Sequence, residues 1–268
     1  VDLVRRISEA WQGPRAPQVR LLPPEVPLDG LPAAPGKQVT LGIAESTLRP
    51  VYLDFAADPH FVAFGDVESG KSSLLRALAQ GITSKYSPEE AAIIVADYRR
   101  GLLGAVSEPH LLGYAGAEGK LTDLIGECAQ AMRNRLPGPS VTPEQLRNRS
   151  WWRGPELFVL VDDYELVATV GRNPLQPLLE FLPQARDIGL HVIIARGSGG
   201  AGRALFEPVL QRLRELGSPG LIMSGAKDEG ALLADVKPSP QPPGRGTLVS
   251  RRHGTGLVQV AWTKPAES

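Results

Sequence analysis

The apolar run Phe61-Val62-Ala63-Phe64 leads directly into Gly65-Asp66-Val67-Glu68-Ser69-Gly70-Lys71-Ser72, and leucines follow at 74, 75 and 78. The eight-residue string satisfies Gly-x-x-x-x-Gly-Lys-Ser/Thr at each fixed position. Such a loop between a buried strand and an amphipathic helix narrows the architecture sharply. The strand needs a sheet, and the helix needs that sheet to dock on. Two glycines permit a tight turn whose amides converge on a polyanionic phosphate at the positive end of a helix dipole. Lys71 is then placed to reach the β- and γ-phosphates of a triphosphate, and Ser72 to offer its hydroxyl to Mg²⁺. The candidate binding set is Gly65, Asp66, Val67, Glu68, Ser69, Gly70, Lys71, Ser72 and Ser73. Phosphate would repel Asp66 and Glu68 if they pointed inward, so both are expected to face solvent or a neighbouring subunit.

The remaining pattern predicts an α/β fold with a mostly parallel sheet covered by helices on both faces. Continuous apolar runs at 92–96, 157–161 and 191–195 read as strands buried on both sides. Residues 51–54, 221–224, 246–250 and 257–262 complete the strand set. Helical spacing covers 120–136, 175–188 and 205–216, in alternation with the strands. Prolines 14, 17, 23, 24, 27, 32 and 35 forbid a long helix in residues 1–46 beyond a short one at 3–11. That stretch reads as a leader or connector packed on the core, with residues 47–268 as the main domain. A Pro-rich surface loop is expected at 238–246.

Composition excludes several classes. Of 268 residues, 42% are hydrophobic and 22% charged, which suits a globular chain with a substantial core. Lys plus Arg (29) equals Asp plus Glu (29), so no global field draws nucleic acid. The single cysteine, Cys128, permits no internal disulfide and reads as a helix-face core residue. No apolar run approaches the roughly 20 residues that span a bilayer. The first residue, Val1, suggests a fragment of something longer.

A phosphate loop needs a metal partner, and Asp162 closes the apolar run 157–161 in the expected manner for holding Mg²⁺ together with Ser72. The alternative is a solvated acid at a strand end. Many ATPases place glutamate at the next position to polarise the attacking water; here it is Asp163. Aspartate is one methylene shorter, so Asp163 is either a weak base or only a hydrogen-bonding group. Glu165, two residues on, would point to the other face of an extended strand. Asp97 and Arg196 close neighbouring strands, either as γ-phosphate sensors or as structural and surface groups. His191, amid apolar residues, reads as a satisfied core histidine.

Four stretches together resemble one family: GDVESGKS from 65, IVADYRRGLLG from 94, SWWRGPELFVLVDDYELVA from 150 and PPGRGTLV from 242. They look like the FtsK/SpoIIIE-type ATPase modules of EccC, the motor of the type VII (ESX) secretion system of mycobacteria and related actinobacteria. The proline-rich segment 16–32 and the Trp151-Trp152 pair add to the likeness, which covers nearly the whole chain and points to the last of the tandem modules. The resemblance implies a RecA-like P-loop NTPase fold, binding of ATP and Mg²⁺, and a place in the cytoplasm at the inner face of the plasma membrane. It also implies neighbouring ATPase modules, Esx-type secreted substrates and other ESX membrane-complex components as partners, with no nucleic acid. Against active family members, Asp163 stands where glutamate is usual, and no arginine finger is evident after Leu221. A missing finger alone removes about 10³-fold or more in rate. Nucleotide binding with slow or absent hydrolysis is therefore expected, alongside substrate docking or regulation. An FtsK-like DNA translocase is the alternative on the same core, disfavoured by the balanced charge.

Overall fold

The computed structural model describes residues 2–14, 21–169 and 171–265. Pro17 and the leader positions 15–20 lie outside the described residues. Ten strands form one sheet: β1 Val39–Ala44, β2 Pro50–Leu53, β3 His60–Phe64, β4 Ala91–Ala96, β5 Leu111–Ala115, β6 Glu156–Val161, β7 Leu190–Arg196, β8 Gly220–Ile222, β9 Arg245–Ser250 and β10 Gly254–Val260. Their order across the sheet is β2-β1-β10-β9-β8-β3-β7-β6-β4-β5. From β8 to β5 every pairing is parallel. An antiparallel wing, β2-β1-β10-β9, is joined to this core through β8.

Alternation along the central strands makes the two-sided core. Val62 and Phe64 of β3 face one apolar layer with Val159, Val161, Val192 and Ile194. Phe61 and Ala63 face the other, with Phe158, Leu160, Ile193 and Ala195. The short helix expected in the leader is α1, Asp2–Ala10. Helix α2, Lys71–Lys85, covers the second layer through Leu74, Leu75, Leu78 and Ile82. The first is covered by α3, Glu118–Arg135, through Leu121, Leu124, Ile125 and Met132. Leu178, Phe181 and Leu182 pack on that same layer.

Two helical expectations resolve differently. The stretch 175–188 is a chain of tight turns, Gln176–Leu178 and Leu182–Gln184, ending in a single α-turn at Ala185–Ile188. Pro177 and Pro183 lack the N–H a continuous helix requires. The stretch 205–216 holds one helix, Pro208–Glu215, preceded by a separate turn at Ala201–Ala204. Glu207 caps the former by accepting from Leu210 N–H at 3.1 Å. Strand β5 went unread because Gly113 interrupts it, yet a Cβ there would stand 2.6 Å from Leu124 of α3. The short helix Pro143–Asn148 carries a legible signal, the Thr142 and Gln145 capping box.

Candidate nucleotide site

Parallel registration sets Phe64 opposite Arg196, and Val161 opposite both Ala96 and Ile194. The residues that follow these strands, Gly65, Asp97, Asp162 and Gly197, therefore emerge along one carboxyl edge, where open α/β sheets bind ligands. The loop after β3 is held by backbone bonds from Gly65 N–H to Arg196 O (3.1 Å) and from Asp66 N–H to Ser224 O (2.8 Å). Gly70, at φ 102°, is in a left-handed conformation that side chains resist, and a Cβ on it would stand 3.0 Å from Gly244 N. Leu74 N–H then donates to Gly70 O at 2.9 Å, and α2 begins. Lys71, Ser72 and Ser73 occupy its first turn, where amides have no partner within the helix and remain available to an anion. Asp66, Val67 and Glu68 are exposed.

The chemistry-bearing side chains converge behind the loop. Lys71 is only 8% exposed; its Nζ donates to Asp66 O at 3.0 Å and lies 3.9 Å from Asp163 Oδ1. Ser72 Oγ donates to Asp162 Oδ2 at 2.5 Å, and Asp163 N–H donates to Asp162 Oδ1 at 3.0 Å. Burial pushes the Asp162 carboxyl up to about 6, with Asp163 and Asp97 adding in the same direction. Donation from Ser72 and from the Asp163 amide works the other way. A buried carboxylate beside a hydroxyl is a hard-oxygen pair that suits Mg²⁺. Among the described residues no group of three His, Cys, Asp or Glu is placed to hold a metal. Mg²⁺ at a triphosphate needs only one or two protein oxygens beside phosphate and water, so the Ser72 and Asp162 pair fits that role.

Asp163 is largely buried and ion-paired with Arg99, whose Nε lies 3.2 Å from Asp163 Oδ2. The sequence left Arg99 unassigned. Glu165 requires a correction: β6 ends at Val161 and Tyr164–Val167 is helical, so the two-residue alternation of a strand does not apply. Its Oε2 accepts from Gly197 N–H at 2.9 Å, and it borders the same 400 Å³ cavity as Lys71, Arg99 and Asp163. Asp97 stands behind the site, accepting from Leu102 N–H at 2.6 Å and Tyr114 Oη at 2.8 Å. It thereby fixes the 98–102 turn, whose Gly101 lies against Ser72 and Asp162. Arg196 lends its carbonyl to the loop, but it is buried and does not border that cavity. His191 is a core residue, stacked on Phe158 at 4.2 Å with Nε2 2.9 Å from Glu156 Oε2. Cys128 is buried, its thiol pushed up to about 12 by burial.

A family model described as the FtsK/SpoIIIE family matches residues 37–150. The chain is 56% identical over 261 residues to the ESX secretion system protein EccC of Thermomonospora curvata, covering 97% of this chain and 20% of that protein. It is 45% identical over 256 residues to the ESX-4 secretion system protein EccC4 of Mycobacterium tuberculosis, covering 94% of this chain and 21% of that one. A solved structure of Thermomonospora curvata EccC, ATPases 2 and 3 in complex with a signal sequence peptide, superposes with a TM-score of 0.90 at 55% identity. It covers 98% of this chain and 48% of the solved one. The chain thus spans about a fifth of the length of these curated relatives.

Proposed function

Because the chain belongs to the FtsK/SpoIIIE family of ATPases, as a module of the EccC type found in ESX secretion systems, we propose that it binds ATP with Mg²⁺ and hydrolyses it slowly or not at all. One observation carries this reading. The loop, Lys71 and the Ser72 to Asp162 contact are assembled, while Asp163 is a methylene short and already paired with Lys71 and Arg99. Ser72 Oγ and the Asp162 carboxylate would hold Mg²⁺, which when bound neutralises charge on the β- and γ-phosphates. Lys71 supplies the fixed cation, and the first-turn amides of α2 orient the phosphates. The short reach of the Asp163 carboxylate is the main obstacle to activating water, and the two cations beside it add a smaller one.

In its parent protein the module would work beside neighbouring ATPase modules at the cytoplasmic face of the plasma membrane. Its contribution would be docking or regulation of Esx-type secreted substrates, in company with other ESX membrane-complex components. The signal-peptide complex of the Thermomonospora curvata relative supports that assignment of substrate class. Among the described residues no helix is long and apolar enough to cross a membrane. The test is direct: purified protein is denatured and assayed for released nucleotide, and steady-state hydrolysis is measured in parallel. Tight nucleotide retention or Mg²⁺-dependent ATP binding with negligible turnover is expected. Turnover above about 1 s⁻¹, within the ordinary enzyme range, would overturn the slow-hydrolysis reading.

A further inference from the structure

The triphosphate reading accounts for the phosphates and leaves the base without a place. A second cavity of about 490 Å³, within the size range of small-molecule sites, opens on the loop at Glu68, Gly70 and Lys71. Its far walls come from opposite ends of the chain: Pro24 and Glu25 from the leader, Pro243 from the turn before β9 and Trp262 from just after β10. The ends are tied together there. Trp262 N–H donates to Val26 O at 2.7 Å, and Leu28 N–H to Trp262 O at 2.9 Å. Arg245 spans both, donating from Nη2 to Leu22 O at 3.0 Å and from Nε to Gln259 Oε1 at 3.1 Å. Leu22 and Val26 are buried, and Pro24 and Glu25 between them stay exposed. Gly244 N–H donates to Ser69 O at 2.8 Å, which fixes the proline turn against the phosphate loop.

The polar groups of this wall are largely committed. Gln259 accepts from Arg245 and donates to Pro243 O at 3.1 Å. Among the described residues the Glu25 carboxylate has no ion pair, and Trp262 is 40% exposed. An indole, proline rings and the Glu25 carboxylate, beside a phosphate loop, suit a purine that carries an exocyclic amino group. We propose that this cavity is the nucleobase subsite, in which Trp262 stacks on the purine and Glu25 accepts a hydrogen bond from its amino group. The proposal rests on the Mg²⁺-ATP reading of the loop, and it makes the leader a working part of the site.

Calorimetric binding of the Mg²⁺ complexes of ATP, ITP and inorganic tripolyphosphate separates the two readings. Trp262→Ala should weaken ATP by about ten- to a hundredfold, the range that stacking one base on an aromatic ring supplies, and leave tripolyphosphate unchanged. Trp262→Phe should recover most of the loss, which a collapse of the fold would not. Glu25→Ala should bring the ATP-to-ITP affinity ratio close to one, because ITP lacks the amino group. Wild-type affinity for ATP in Trp262→Ala, or equal loss of ATP and tripolyphosphate, would overturn the subsite. If wild type fails to bind tripolyphosphate, or Lys71→Ala binds it as wild type does, the phosphate cradle itself fails and the subsite falls with it.

Discussion

Acid should destabilise this domain through His60, well away from the nucleotide site. The side chain lies at the start of β3, 2% exposed. Its Nδ1 accepts from Val192 N–H at 3.1 Å, and Nε2 donates to Leu182 O at 3.3 Å. Both nitrogens are thus used by the neutral ring, and a proton on Nδ1 would face another donor. Burial lowers the pKa from 6.5 to about 3, nearby His191 adds to the effect, and the Leu182 carbonyl partly opposes it. The unfolded chain takes up this proton near 6.5 and the folded chain only near 3, so between those values the unfolded state binds more protons. Stability from this group is complete above about pH 6.5 and is lost as pH falls. At pH 5 the loss is about 1.5 units at 1.36 kcal/mol each, or about 2 kcal/mol. Denaturant unfolding of wild type and His60→Gln at pH 7.5, 6 and 5 isolates the group, because shared titrations cancel in the difference. His60→Gln is less stable at pH 7.5 through poorer hydrogen bonding. Its deficit should shrink by about 2 kcal/mol by pH 5. A deficit that stays constant or grows would refute the argument.

Three further outcomes are expected. Mg²⁺-ATP at about a thousand times its dissociation constant should stabilise wild type by roughly 4 kcal/mol, read as a raised Tm. Lys71→Ala should show no such rise. Asp163→Glu should speed steady-state hydrolysis about ten- to a hundredfold if reach is the limiting defect, and an unchanged rate would refute that explanation. Gly70→Ala forces a side chain into φ 102° against the Gly244 backbone, and should cost about 1 to 3 kcal/mol in denaturant unfolding. Full stability of that variant would show that the loop does not hold this shape in solution.

What the sequence made legible, and what it hid, divides along contact distance. The loop and its flanking strand and helix are contiguous, so spacing alone exposes them. The runs ending in Asp97 and Asp162 announce buried strands because parallel strands are covered on both faces. By contrast, Glu165 was misplaced because two-residue alternation was carried past Val161, where the backbone turns helical. Arg99 reaches Asp163 only through the loop that follows β4, and no local pattern encodes that. The walls of the second cavity, Pro24 and Trp262, are separated by most of the chain. Even the Trp151-Trp152 pair, part of the family resemblance, is structural. Trp151 Nε1 donates to Arg135 O at 2.7 Å, and the Arg135 guanidinium sits 4.2 Å over the Trp152 ring.

The contact between Lys71 and Asp163 gives binding and cleavage different physical bases. In the free protein Lys71 answers the Asp66 carbonyl and, at 3.9 Å, the Asp163 carboxylate. A triphosphate that draws Lys71 onto its own oxygens takes one cation from Asp163, yet the Arg99 pair at 3.2 Å remains. Arg99 is 59% exposed, so solvent screens that pair and its energetic hold is small. On the proposed slow-hydrolysis reading, what would keep Asp163 from serving water is then chiefly geometry: a short side chain on a left-handed residue at φ 43°, directly after Asp162. None of those features touches the loop amides, Gly70 or Ser72. Under the proposed reading, weak cleavage need not weaken binding, and the domain would retain nucleotide as a structural ligand.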